Sequence, residues 1–350
     1  MSIMDRLKKN TKLKHTSVMS ESTMFGKRDM VPTDVPMLNV ALSGDVNGGL
    51  TSGVTIVAGP SRHFKTAYSL LMAAAYLKAK PQAVLLFYDS EFGSPQAYFE
   101  TWNIDTSRVL HTPITNVEEL KHDLVNQLQQ IEQGDDVIIV IDSIGNLASM
   151  KEVEDAVDGK QVADMTRAKA MKSLFRMITP MVNLKDIPLI AIAHTYKTME
   201  IYSKDVVSGG TGLMYSADTV WIVGRRQNKN GTEVEGYDFI INVEKSRFVR
   251  EKSKIPITVS WDGGIDRYSG VVDLACAGGF IACPSRGWFS RINLDTGEVS
   301  EAKCRAKDID EQWITEILES PKFQQYVANL YQIGKYSANP IDFEEAPGDE

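Results

Sequence analysis

Between residues 50 and about 260, short continuous apolar runs alternate with longer stretches of helical periodicity. The runs predict strands over 55–58, 83–89, 137–142, 189–194, 219–224 and 239–244. Most are unbroken Val/Ile/Leu segments rather than alternating ones, as expected of strands buried on both faces of a mainly parallel sheet. Helices are predicted over 66–78, 117–133 and 167–182. In the last, Ala168, Met171, Leu174, Phe175, Ile178, Met181 and Val182 fall on one stripe at three-and-four spacing, with the basic residues mostly off it. Strand–helix alternation of this kind gives an α/β, doubly wound sheet.

The flanks have a different texture. Residues 1–30 read as a basic helical arm suited to docking on another protomer, and 31–50 as a lead-in strand and turn. From about 270 a Gly-rich hinge (Ala277, Gly278, Gly279) and short strands around 287–292 precede helices near 309–319 and 322–333. The expected organisation is an arm (1–30), a core (31–268), a small C-terminal α+β domain (269–336) and an acidic, disordered tail with two prolines (337–350). There is no repeat at solenoid periods.

Charge and composition narrow the classes. The chain has 350 residues, 38 basic and 46 acidic, for a net charge of −8. The total argues weakly against nucleic acid, but the distribution does not. Residues 165–176 carry four cations (Arg167, Lys169, Lys172, Arg176) and no acid; 245–254 carry five against Glu251 alone. The longest apolar runs are strand-sized, well short of a membrane span. The basic N-terminus has no apolar region behind it and is not read as a secretory signal. Cys276, Cys283 and Cys304 show no CxxC spacing, so neither a disulfide scaffold nor a structural zinc site is expected.

The strongest local signal is Gly59-Pro60-Ser61-Arg62-His63-Phe64-Lys65-Thr66, between a predicted strand and a predicted helix. A phosphate-binding loop needs that context, because backbone N–H groups at a helix N-terminus cradle phosphate oxygens. Lys65 would reach the β/γ-phosphates and Thr66 would ligate Mg²⁺. Phe64 departs from the pattern, standing where a second glycine is expected. Other strands end in Asp89-Ser90-Glu91, in Asp142-Ser143 and in His194, and strand carboxyl ends share one crevice in a doubly wound sheet. Asp142 suits Mg²⁺ binding through water, Glu91 the polarisation of an attacking water, and His194 the sensing of the γ-phosphate.

With these residues in place, the chain resembles the RecA-type recombinases, and among them the branch found in tailed phages. The likeness runs from about residue 30 to 300. It includes the lead-in Pro36-Met37-Leu38-Asn39-Val40-Ala41-Leu42-Ser43-Gly44, Gly48-Gly49, Gly53, Tyr88-Asp89-Ser90-Glu91, Ile141-Asp142-Ser143 and Gly209-Gly210-Thr211-Gly212. Phe before Lys65 fits the phage branch, and His194 stands where bacterial members have Gln. The resemblance implies a RecA-like P-loop ATPase core using ATP and Mg²⁺, with Glu91 as catalytic glutamate and Tyr98 stacking on adenine. It also implies that Lys245 and Arg247 reach into the neighbouring subunit's ATP site, neutralising transition-state charge in trans. Arg in place of a second lysine keeps the charge and changes the hydrogen-bond geometry.

Two stretches match the family's mobile DNA-binding loops: 149–165, leading into the basic helix, and 196–212, directly after His194. Phosphate-contact candidates are Lys160, Arg167, Lys169, Lys172, Arg176, Lys197 and Lys204, with Gly209, Gly210, Thr211 and Gly212 in the second loop. Glu152, Glu154, Asp155 and Asp158 in the first loop would repel DNA unless they face another subunit. The function implied is a DNA-dependent ATPase that forms helical filaments on single-stranded DNA and catalyses homologous pairing and strand exchange with duplex DNA. Its partners would be further copies of itself and accessory mediator and single-strand-binding proteins, in the cytoplasm of a bacterial host. Two alternatives remain open at this stage. One is a hexameric helicase motor, which shares the core but closes rings; the other is a nucleotide-gated regulator without turnover.

Overall fold

The computed structural model describes residues 2–22, 29–159, 166–198, 205–230, 232–285 and 287–334. Lys160, Lys204 and the acidic tail named above lie outside them. In chain order the elements are α1 (Ile3–Asn10), α2 (Pro36–Ser43), β1 (Gly53–Ala58), α3 (Lys65–Ala79), β2 (Val84–Asp89), α4 (Gln96–Thr101), β3 (Val109–Pro113), α5 (Val117–Gln130), β4 (Val137–Asp142), α6 (Met150–Val157) and α7 (Thr166–Leu184). They continue with β5 (Pro188–Ala193), β6 (Thr195–Lys197), β7 (Asp205–Val207), α8 (Thr211–Ser216), β8 (Thr219–Asn230), β9 (Glu233–Lys245), β10 (Lys254–Ser260), β11 (Gly264–Ile265), α9 (Val271–Ala277), β12 (Ile281–Ser285), β13 (Trp288–Arg291), α10 (Glu311–Glu319) and α11 (Pro321–Tyr331).

A nine-stranded sheet in the order β11-β10-β9-β8-β1-β5-β4-β2-β3 organises the chain. Its pairings from β8 to β3 are parallel, and β9, β10 and β11 extend it antiparallel. Alternate strand residues feed two apolar layers. Val57, Ile138 and Val140 enter one, and Val54, Ile56, Ile139 and Ile141 the other. That double burial is why the sequence pattern is continuous rather than alternating. The first layer also holds α2, α3 and the C-terminal helices through Trp313, Ile317, Phe323 and Val327; the second holds α5 and α7. Met171, Leu174, Phe175, Ile178 and Val182 of α7 are buried as the stripe predicted, Met181 lies at its margin, and Ala168 is exposed.

Several expectations change. Residues 31–50 contain the helix α2 rather than a strand: Pro36 opens it and Gly44, at φ +73°, closes it. Every residue of α2 after Met37 is buried, as is Met37 itself, so no polar face advertises a helical period. The 149–165 stretch begins as a helix, α6, with a Ser149/Glu152 capping box. Strands β3 and β10 escape the apolar-run pattern, β3 because it is a half-exposed edge and β10 because Lys254 and Pro256 interrupt it. Cys276 and Cys283 are joined in a disulfide, against expectation: the turn at Gly278–Phe280 folds the end of α9 onto β12 and brings their Cα atoms to 6.2 Å. Cys304 is half-buried. Among the described residues no helix is long and apolar enough to cross a membrane.

Candidate nucleotide site and DNA-facing elements

The phosphate loop spans the end of β1 and the start of α3. Arg62 and Phe64 both adopt left-handed conformations, each at φ +61°. For a residue with a Cβ that conformation costs roughly 1–2 kcal/mol. Phe64 offsets the cost with its ring, which stacks on Phe239 at 5.0 Å and meets Tyr68 edge-on at 5.4 Å and Trp102 at 6.4 Å. The missing glycine is thus replaced by an aromatic clamp between the loop, α3 and β9. The Nδ1–H of His63 donates to the Ser61 carbonyl at 2.8 Å, and burial lowers the pKa of its ring. Lys65 is buried, donates to the Pro60 carbonyl at 2.8 Å, and is pulled below the ordinary lysine value by desolvation, against the opposing pull of Glu91 and Asp142.

Three parallel strands deliver the remaining chemistry. The Thr66 hydroxyl donates to Asp142 Oδ2 at 2.8 Å. Asp142 Oδ1 is buried and has no hydrogen-bond partner among the described residues. Burial raises the Asp142 carboxyl to about 7, opposed by the Thr66 bond. An orphaned carboxylate oxygen beside a threonine hydroxyl fits a hard divalent cation such as Mg²⁺. Glu91 Oε1 accepts from the Ser143 hydroxyl at 2.8 Å and from His194 Nε2 at 3.1 Å. The His194 bond is the main reason that Glu91 sits below the usual glutamate range. Asp89 is buried and holds the turn after β2, its Oδ1 accepting from the Glu91 and Phe92 N–H groups. Ser61, Arg62, His63, Phe64, Lys65, Thr66, Glu91, Tyr98, Asp142 and His194 line one cavity; Gly59 and Pro60 precede these loop residues, directly after β1. Tyr98, on α4, stands edge-on to Trp102 at 6.3 Å.

Lys245 and Arg247 lie elsewhere. Strand β9 runs against β8, so its end returns toward the amino edge of the parallel strands. Lys245 is paired with Val220, which is level with Ile56 in β1. Its ammonium donates to the carbonyls of Met214 at 2.8 Å, Tyr215 at 3.3 Å and Ala217 at 2.7 Å, and burial lowers its pKa. Arg247 pairs with the buried carboxylate of Asp218 at 2.6 Å, and Asp218 in turn accepts from the Val54 N–H. Both cations are therefore on the opposite edge of the sheet from their own chain's phosphate loop.

The two loop regions are rooted at the site. The Ser208 N–H donates to the His194 carbonyl, and β6 and β7 pair antiparallel beyond it, so the second loop starts as a ribbon growing from His194. Lys197 on this ribbon pairs with Asp205 at 3.1 Å. Gly209 and Gly210 have φ of +110° and +82° and lead into α8 at Thr211. Gly212 packs under the Lys172 side chain, where a Cβ would come within 2.6 Å of Lys172 Cγ. Lys169, Lys172 and Arg176 are exposed on α7. Arg167, at the start of the same helix, is half-buried and donates to three backbone carbonyls of the loop that leaves β4. Sequence reasoning named Ser143 only within a motif, without its bond to Glu91, and missed Gly145, which packs against His194, and Asp218. Asp218 adjoins a strand end and could have been suspected there; Gly145 carries no local signal.

Comparison with known proteins agrees with this geometry. Residues 5–266 match the RecA N-terminal domain model, and residues 268–327 match the model of the bacteriophage T4 recombination and repair protein C-terminal domain. The chain is 50% identical over 341 residues to the recombination and repair protein of Enterobacteria phage T4, covering 96% of this chain and 87% of that one. It is 26% identical over 277 residues to RecA of Streptomyces avermitilis, covering 78% and 71% of the two chains. With RecA of Chloroherpeton thalassium it shares 25% identity over 332 residues, covering 90% and 91%.

Proposed function

This chain belongs to the RecA family, and from that premise we propose that it is a DNA-dependent ATPase that assembles as filaments on single-stranded DNA and pairs that strand with homologous duplex. The single observation that carries the reading is the crevice where Lys65, Thr66, Glu91, Asp142 and His194 converge at the carboxyl edge of the sheet.

In this reading the loop N–H groups and Lys65 hold the phosphates of ATP, and Tyr98 flanks the base. Thr66 and Asp142 hold Mg²⁺. Bound there, the ion would neutralise charge on the β- and γ-phosphate oxygens. Ser143 and His194 both bond Glu91 Oε1, which leaves Oε2 to take the proton of an attacking water. The Ser143 and His194 bonds keep the carboxylate ionised and aimed. His194 carries the γ-phosphate state to the β6–β7 ribbon through its own carbonyl. Lys245 and Arg247 serve the next protomer's site, which their place on the far edge supports. Lys169, Lys172, Arg176 and Lys197 are the DNA phosphate contacts, with 209–212 shaping the second loop and Lys160 and Lys204 belonging to the same two loops. The arm at 1–30 docks on a neighbour: α1 exposes Ile3, Met4 and Leu7. The acidic tail at 337–350 is the contact for accessory proteins or an autoinhibitory segment that competes with DNA.

The test is ATP turnover with and without single-stranded DNA, with electron microscopy of the same mixtures. Strong stimulation with helical filaments is expected. Closed rings, or DNA binding without turnover, would overturn the proposal.

A further inference from the structure

The loop that leaves β4 carries Asp142 and Ser143 into the nucleotide site and then leads through α6 to α7. Arg167 is the second described residue of α7. Its guanidinium closes on the β4 loop. Nε donates to the Leu147 carbonyl at 2.5 Å, and Nη2 donates to the carbonyls of Ile144 at 3.0 Å and Gly145 at 2.9 Å. A planar fork can hold several carbonyls at fixed spacing; an ammonium cannot reproduce that geometry.

The far side of the same turn touches the γ-phosphate sensor. The Ile144 N–H donates to the Ile192 carbonyl, two residues before His194. Gly145 lies so close to the imidazole that a Cβ there would come within 2.3 Å of His194 Cδ2. His194 in turn bonds Glu91. A continuous chain of contacts therefore runs from Glu91 through His194 and Gly145 to Arg167 and the helix bearing Lys169 and Arg176.

We infer that Arg167 is a positioning residue that couples the ATP site to the DNA-facing helix, not a contact to DNA phosphate. It clamps the turn at 144–147 onto α7, so that a shift of His194 is passed to the cations on that helix. By linkage, DNA held on α7 tightens nucleotide binding by the same factor. The inference rests on the reading of α7 as DNA-facing.

The experiment measures binding of the full chain to a labelled single-stranded oligonucleotide across a range of salt, with and without Mg²⁺ and a non-hydrolysable ATP analogue. In Arg167→Gln, the tightening produced by the analogue is expected to fall about tenfold, within the usual range of allosteric coupling. The slope of log affinity against log salt is expected to stay at the wild-type value. Arg167→Lys, which keeps the charge and loses the fork, is expected to behave in the same way. Gly145→Ala attacks the link from the His194 side with the same expected loss, and decides the matter if the Arg167 variants do not fold. A slope lower by about 0.7, the value of one single-strand phosphate contact, overturns the inference. Retained tightening in Arg167→Gln overturns it too. Lys169→Ala and Arg176→Ala are expected to lower the slope. If neither does, the reading of α7 fails, an outcome separate from failure of the clamp.

Discussion

In the proposed function, the two edges of the central sheet supply two halves of one active site, and they differ in how complete they are within one chain. At the carboxyl edge, strands β1, β2, β4 and β5 bring Lys65, Glu91, Asp142 and His194 into a single cavity of one chain. The two carboxylates are held from other elements, Asp142 by Thr66 of α3 and Glu91 by Ser143 and His194. At the amino edge, Lys245 and Arg247 do not line that cavity and rest on backbone carbonyls and on Asp218. Parallel strands gather their ends once, at one crevice. Cations on the other edge can serve such a crevice only when a second copy stacks in heterologous fashion, which is the geometry that grows filaments.

Glu91→Gln keeps the shape and both hydrogen-bonded neighbours but removes the base; turnover is expected to fall by about 10²–10⁴, with ATP binding and filament formation retained. Arg247→Ala should also lose most turnover, and leaves the buried Asp218 carboxylate unpaired, lowering stability by about 3–5 kcal/mol at most, less because the Arg247 side chain is half-exposed. Thermal unfolding and ATPase rates measure the two effects separately.

A smaller effect tests the cation site. The Asp142 carboxyl, raised to about 7 by burial, is more protonated in the folded chain than in the unfolded one between its ordinary value and neutrality. Mg²⁺ must displace that proton, so its affinity is expected to weaken by about tenfold between pH 8 and pH 6. Titration calorimetry with Mg²⁺ measures this, and Asp142→Asn should remove both the binding and its pH dependence. The smallest effect on chemistry is expected from Phe64→Gly. It relieves a left-handed residue but dissolves the stack on Phe239, so stability should fall by about 1–3 kcal/mol while turnover stays within a few-fold.

The carboxyl edge was legible in the sequence because Asp89, Asp142 and His194 each directly follow an uninterrupted apolar run, and such runs end where a doubly wound sheet opens. The place of Phe64 was legible as a departure; its reason was not, since the ring's partner Phe239 lies 175 residues further on. The helix α2 was misread as a strand because burial on all sides erased its period. Arg167 illustrates the limit most clearly. Its charge and its neighbours Lys169 and Lys172 suggested DNA, and only the folded β4 loop reveals the three carbonyls that it holds. Hydrogen bonds to backbone carbonyls leave no mark in the sequence at all.

The central claim, that each ATP site is completed by the opposite sheet edge of a neighbouring protomer, is tested most directly by mixing two inactive chains. Glu91→Gln keeps intact fingers and Arg247→Ala keeps an intact base. When the two are mixed in equal amounts on single-stranded DNA, random heterologous assembly gives about a quarter of the interfaces both intact parts. ATP turnover is expected to recover to about that fraction of the wild-type rate. A mixture no more active than its components would contradict the account, because Arg247 would then be serving its own chain alone or no ATP site at all.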